Sequence, residues 1–226
     1  MRGFSPWADP HAARTSASLR AYDAIRQMIL NGQLPAGSLI GEVQLANRLE
    51  ISRTPLREAL HALLRAGLVT EAPRRQLSVA TIEGDRLDEV LKLRETIERF
   101  AVREAATTIG VDRLDLLRLN LIQQRRAVRA GDTARFLELD DEFHIRIASE
   151  SKLPLTTEFL AQLRGYVRLA LAADTQAVEW DAMAAVEEHE AIIEALEHRD
   201  PDAAEASLAS QLARTRDVLQ SGAAAN

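Results

Sequence analysis

From Leu19 onward, apolar residues recur at the three- and four-residue intervals of an amphipathic helix: Leu19, Tyr22, Ile25, Ile29 and Leu30 in "SLRAYDAIRQMILNG" fall on one face. Ser18 is the expected N-cap of that helix and Gly32 its end. "QLPAGSLI" interrupts the pattern as a turn, and "EVQLANRLE" restores it for a short second helix. A tight link from Glu50 to Ser52 leads into a third helix, whose stripe is Leu56, Ala59, Leu60, Leu63 and Leu64 and whose stop is Gly67. The period then becomes that of strands, with "LVTEA" and "LSVAT" flanking "PRRQ" as a small hairpin. Three helices and a hairpin, the second and third helices closely joined, predict a winged helix-turn-helix over residues 18–80.

Residues 1–17, rich in Ala, Ser and Pro and without periodic hydrophobes, read as a flexible arm. Residues 84–220 contain no strand-like alternation and break into six helical segments: 85–107, 112–130, 133–150, 154–173, 180–198 and 201–219. Gly110 and Gly131 lie just past helix ends, Asp132 and Asp200 occupy N-cap positions, and Pro201 follows at a first helical position. The expected fold class is therefore mostly α: a winged helix-turn-helix followed by an all-α antiparallel six-helix bundle.

A chain of 226 residues with 46% hydrophobic content can build two modest cores. It contains no Cys, which excludes disulfides and thiolate metal sites and is compatible with a reducing, cytoplasmic compartment. No apolar run approaches the roughly 18–20 residues that span a bilayer, and the first residues lack the apolar core of a signal peptide, so a soluble protein without a membrane partner is expected. The net charge of −6 conceals an asymmetry. Residues 1–80 carry ten basic residues, all Arg, against six acids, whereas residues 81–226 carry eighteen basic residues against twenty-eight acids. Arginine makes forked contacts to phosphates and to guanine, so the first part is the candidate nucleic-acid face.

The third helix begins "SRTPLR". Ser52 is placed to cap it, and Pro55 falls in the first turn, where backbone N–H groups have no intrahelical partner. Such a helix start carries a partial positive charge and unpaired donors, which suit phosphate oxygens. Arg53 and Arg57 are one turn apart, point the same way and can reach the base edges of a major groove.

In the second part, polar residues interrupt apolar stripes. Asp140 and His144, spaced i and i+4, share a side with Phe136, Leu137, Phe143 and Ile147. His189 falls between Val186 and Ile192, and Arg94 lies among Val90, Leu91 and Ile97. Inward ionisable groups are expensive unless they bind one another, an ion or a ligand.

"IRQMILNGQLPAGSLIGEVQLANRL" followed by "SRTPLREAL" resembles the GntR family of bacterial transcription regulators. The resemblance implies that Arg48, Ser52, Arg53, Thr54 and Arg57 meet operator DNA, with Arg74 or Arg75 of the wing at the minor groove or backbone. The family usually has Gly at the wing tip, where this chain reads "PRRQLSV" with Gln76. "LRETIER", "LDDEFHIRIA" and "EEHEAIIEALEHRDPDAAEA" resemble the FCD-type ligand domain of one GntR subfamily. That resemblance places a divalent metal such as zinc on Asp140, His144 and His189, and gives Arg94 a role in holding an organic acid. The family's fourth ligand, a His, is replaced by Gln211, a weaker donor through its carbonyl oxygen. A metal-free pocket, with His144, His189 and Gln211 donating hydrogen bonds directly to the effector, is the alternative. Leu153 stands where many relatives place Asn before the Pro. The function implied is a homodimeric, DNA-binding repressor released by a small carboxylate metabolite. The alternative is a hydrolase whose Asp/His metal site activates water.

Overall fold

The computed structural model describes residues 16–173 and 181–224, and the chain divides into two compact units between Thr81 and Ile82. The first unit runs α1 (Ser16–Leu30), α2 (Glu42–Arg48), α3 (Arg53–Arg65), β1 (Val69–Ala72) and β2 (Gln76–Val79). Its core forms where α1 crosses α3, with Ile25, Ile29, Leu56, Leu60 and Leu63 all fully buried. The inner face of α1 is rotated slightly from the expected one: Ala21 and Met28 are buried, whereas Leu19 and Tyr22 are half-buried. β1 and β2 pair antiparallel from Val69 opposite Val79 to Ala72 opposite Gln76, and Leu39 bridges to Ser78 beside them.

Three local expectations for this unit need correction. α1 is already helical at Ser16, so Ser18 is no cap; it lies fully buried inside the helix, because "SAS" contains nothing that breaks one. Ser16 and Ala17 therefore belong to α1, and the rest of the expected arm lies outside the described residues. Ser52 does occupy the extended N-cap position of α3, but its hydroxyl makes no capping hydrogen bond.

The wing also differs from its sequence reading. Its left-handed residues are Arg74 (φ 63°) and Arg75 (φ 59°), while Gln76 has φ −79° and opens β2. The tight turn thus falls on two arginines, and Gln76 needs no glycine-like backbone.

Among its described residues the second unit's secondary structure is all α-helix: α4 (Gly84–Thr108), α5 (Val111–Arg129), α6 (Thr133–Glu150), α7 (Pro154–Ala173), α8 (Ala182–Glu197) and α9 (Pro201–Ala224). α4 packs against α6, α7 and α9; α5 packs against α6 and α8; α8 packs against α9. Between them lies an apolar core that includes Leu117, Phe136, Leu139, Phe143, Ile192 and Leu196. Asp132 caps α6 by accepting from the Arg135 amide at 3.0 Å, and Asp200 caps α9 through the amides of Asp202 and Ala203 at 3.1 and 3.0 Å. Asp181, which the helical pattern did not single out, caps α8 through Met183 and Ala184. Residue 180, the expected start of that helix, lies outside the described residues. Gly131 has φ 68° and closes α5, whereas Gly110 has φ −94° and serves as the N-cap of α5. α9 continues past the expected end at 219, since one glycine at 222 costs a helix only about 1 kcal/mol.

Candidate functional site

The start of α3 separates its two faces cleanly. Leu56, Ala59, Leu60 and Leu63 are buried, and Ser52, Arg53, Thr54 and Arg57 are exposed. Arg57 is 59% exposed, and its Nε donates to Glu42 Oε2 at 2.8 Å. Arg48, at the end of α2, is exposed and donates to Gln33 Oε1 at 2.9 Å. Arg74 and Arg75 are exposed at the tip of the hairpin. With Arg65 at the end of α3, six of the first unit's arginines therefore stand at its surface on α2, α3 and the wing.

In the second unit, α6 and α8 bring Asp140, His144 and His189 together, with ligand atoms all within 4.8 Å of one another. The three residues are buried, at 6%, 3% and 0% exposure. The Nε2 atoms of the two imidazoles lie 3.2 Å apart, and Asp140 Oδ1 lies 3.3 Å from His189 Nε2 and 3.9 Å from His144 Nε2. Phe143 stacks on the His189 ring with centroids 4.3 Å apart and meets His144 edge-on.

Close polar contacts fix which nitrogen of each ring carries its proton. The Leu139 carbonyl can only accept, so Asn120 donates to it through Nδ2 at 3.1 Å and turns its Oδ1 to Gln124 Nε2 at 2.7 Å. Gln124 Oε1 is then left facing His189 Nδ1 at 2.7 Å, and that nitrogen must donate. Likewise His144 Nδ1 lies 2.7 Å from the Glu98 carboxylate, which accepts. Both rings consequently aim an Nε2 lone pair at one point, where Asp140 Oδ1, buried and without a hydrogen-bond partner, also arrives.

Three acceptors converging in this way repel one another unless a cation or a donor lies among them. For metal–ligand distances of about 2.0–2.1 Å, the edge of a tetrahedral site is about 3.3–3.4 Å, close to two of the three separations found here. The donor set therefore fits a divalent cation. Gln211 completes the group: its Nε2 lies 2.6 Å from His189 Nε2 and 3.2 Å from His144 Nε2.

Around this centre the structure places charged residues that the apolar patterning did not single out. Arg164 of α7 is 3% exposed; it donates through Nη1 to Glu98 Oε1 at 3.0 Å, through Nε to Asp141 Oδ1 at 2.9 Å, and through Nη2 to Asp140 Oδ2. Arg168 bonds Asp141 Oδ2 at 3.1 Å, and Arg94 Nε donates to Glu98 Oε1 at 2.6 Å. A sequence signal did exist. Arg164 and Arg168 stand one turn apart in "LRGYVRLAL", a stretch with no acid of its own, as do Asn120 and Gln124 on α5.

Burial by itself would raise the carboxyl of Asp140, but the Arg164 guanidinium together with the two imidazoles outweighs it and holds the group well below the usual carboxylate range. Glu98 is also held well below that range, burial being overcome by Arg94, His144 and Arg164. Burial and the Arg164 charge push His144 down to about 4, against the pull of Glu98. His144 is thus neutral near pH 7, the form that presents a lone pair.

A small cleft opens beside the triad, lined by Arg94, Asp140, Asp141, Arg164, Arg168 and Gln211. Arg94, expected as a lone fork for a carboxylate, is thus one of three buried arginines there, each already bonded to an acid. Leu153 is 40% exposed and does not line the cleft.

Residues 89–214 match the FCD domain family, and residues 17–79 match the bacterial regulatory proteins, gntR family. The HTH-type transcriptional regulator YdhC of Bacillus subtilis (strain 168) is 30% identical over 127 residues, 56% of this chain and 57% of that protein. The chain thus spans little more than half of that relative's length. The HTH-type transcriptional repressor RspR of Escherichia coli (strain K12) is 29% identical over 191 residues, 84% of this chain and 83% of that protein. The solved structure of E. coli McbR/YncC shares the fold, with a TM-score of 0.84, 24% identity, and coverage of 92% of this chain and 98% of that one. Helix-turn-helix, wing and FCD bundle in this order place the chain in the GntR family of bacterial transcriptional regulators, within its FCD subfamily.

Proposed function

We propose that this regulator is a cytoplasmic homodimer that represses transcription and releases its operator when a small carboxylate metabolite enters the cleft beside Asp140, His144 and His189. The observation that carries the DNA-binding half is the exposure of Ser52, Arg53, Thr54 and Arg57 at a helix start whose opposite face is buried. In this reading Arg53 and Arg57 read base edges, Ser52 and Thr54 meet phosphates, and Arg48 with Arg74 or Arg75 holds the backbone or minor groove. A symmetric dimer suits an operator of two mirrored half-sites. Nothing in the family or its named relatives favours the hydrolytic alternative. No described helix is long and apolar enough to cross a membrane.

The ligand half rests on chemistry. Asp140, His144 and His189 would hold a divalent cation, with Glu98 and Gln124 orienting the imidazoles. Such an ion would supply Lewis acidity for a carboxylate, and Arg94 and Arg168 line the cleft beside it, while the Arg164 fork is engaged by Glu98, Asp140 and Asp141. An effector releases DNA only if it binds the two states of the protein with different affinity.

Gel shifts with operator-length DNA, with and without a panel of organic acids, test the whole reading. His144→Ala and His189→Ala are each expected to weaken zinc binding at least tenfold and to abolish the effector response while leaving effector-free DNA binding intact. Retention of both responses would remove the ligand site from the triad.

The wing gives a separate expectation. An arginine in the left-handed region is strained by about 1–2 kcal/mol, and strain of this kind persists where function requires it. Arg75→Gly should therefore keep or raise the melting temperature while weakening DNA binding, most visibly at low salt. A lower melting temperature with unchanged DNA affinity would contradict a DNA role for the residue.

A further inference from the structure

Gln211 is 2% exposed and sits where the two imidazole lone pairs meet. Since the Leu139 carbonyl and the Glu98 carboxylate dictate the proton positions on both rings, only a donor or a cation satisfies their Nε2 atoms. The Gln211 NH2 group is that donor, at 2.6 and 3.2 Å. Its own Oε1 is buried and has no hydrogen-bond partner. The amide is therefore satisfied on one side only. Turned about its last torsion, it would present Oε1 to the same point, which suits a cation and nothing else among these acceptors.

We propose that Gln211 stands in for the cation when the centre is ion-free, so that the divalent ion is a dissociable input to this regulator instead of a permanent part of its fold. The inference rests on the reading that Asp140, His144 and His189 hold the ion. Two consequences distinguish this arrangement from a resident metal centre. The ion-free protein keeps its two imidazoles hydrogen-bonded and so keeps its packing. Binding must displace or turn the amide, and the carbonyl oxygen then offered is a weaker ligand than an imidazole, so the ion is held loosely and exchanges.

The test compares the full chain with its Gln211→His and Gln211→Leu variants, using zinc alone in competition with a chromophoric chelator, and melting curves with and without EDTA. Gln211→His is expected to bind zinc at least tenfold more tightly than the parent. In EDTA, Gln211→Leu is expected to melt several degrees below the parent, because both lone pairs lose their donor, and zinc is expected to raise its melting temperature by more than it raises the parent's. The proposal is overturned if the parent retains zinc through EDTA dialysis and Gln211→His binds no more tightly, or if Gln211→Leu melts like the parent in EDTA. Equal zinc affinity in parent and Gln211→His overturns the amide's role but leaves the cation site standing. Absence of zinc binding in the parent and in Gln211→His overturns both.

Discussion

Replacing Arg164 by methionine is expected to lower the unfolding free energy by about 3–5 kcal/mol at pH 7, the usual consequence of removing one partner from a buried ionic cluster. Arg164 is the junction of α4, α6 and α7: its guanidinium bonds Glu98, Asp140 and Asp141 at once, and methionine would fill the space without neutralising any of them. Lysine, with one ammonium in place of a planar fork, should recover only part of the loss.

The effect has a defined pH dependence. In the parent the carboxyls of Asp140 and Glu98 titrate below their ordinary values of 3.8 and 4.5, so their contribution is complete above about pH 4.5 and is lost as pH falls further. In the variant the same carboxyls lack part of their counter-charge and take up protons at higher pH. The deficit relative to the parent should therefore be largest at neutral pH and shrink toward pH 4. Urea unfolding of parent and variant at several pH values in EDTA measures it directly. Coincident midpoints at pH 7 would mean that Arg164 does not hold this bundle together.

The second large effect is expected on DNA. Arg53→Ala and Arg57→Ala should each weaken operator binding by roughly 1–3 kcal/mol, or about 5- to 150-fold, with a smaller loss on unrelated sequence of the same length. Arg57→Ala also removes the surface pair with Glu42, which is worth no more than about 1 kcal/mol, so folding should be nearly unchanged. Fluorescence anisotropy with specific and scrambled duplexes at fixed salt separates base reading from phosphate attraction. Parental affinity in both variants, or an equal loss on both duplexes, would move the reading helix elsewhere.

Local rules made much of this molecule legible. The apolar periods located α3 and the six helices of the bundle to within a few residues, because each helix has one face that must be buried and stops that are written in Gly, Asp and Pro. Asp140 and His144 were also legible, since residues four apart on a helix share a face whatever surrounds them. The wing turn was not: a left-handed backbone is announced by Gly or Asn, and here it is carried by Arg74 and Arg75, which carry no such signal. Ser52 shows the converse, a good capping residue in the capping position whose side chain makes no capping bond.

By itself, the sequence determined which segments are helical, roughly which faces of those helices are apolar and which ionisable side chains interrupt them, because these follow from spacing along one element. Only the tertiary structure decided that Arg164 reaches three acids on two other helices, that Asn120 and Gln124 set the proton on His189, and that Gln211 meets both imidazoles. Those are meetings of residues 19 to 67 positions apart, and the energy that enforces them, the cost of leaving a buried charge or lone pair without a partner, exists only once the helices have packed.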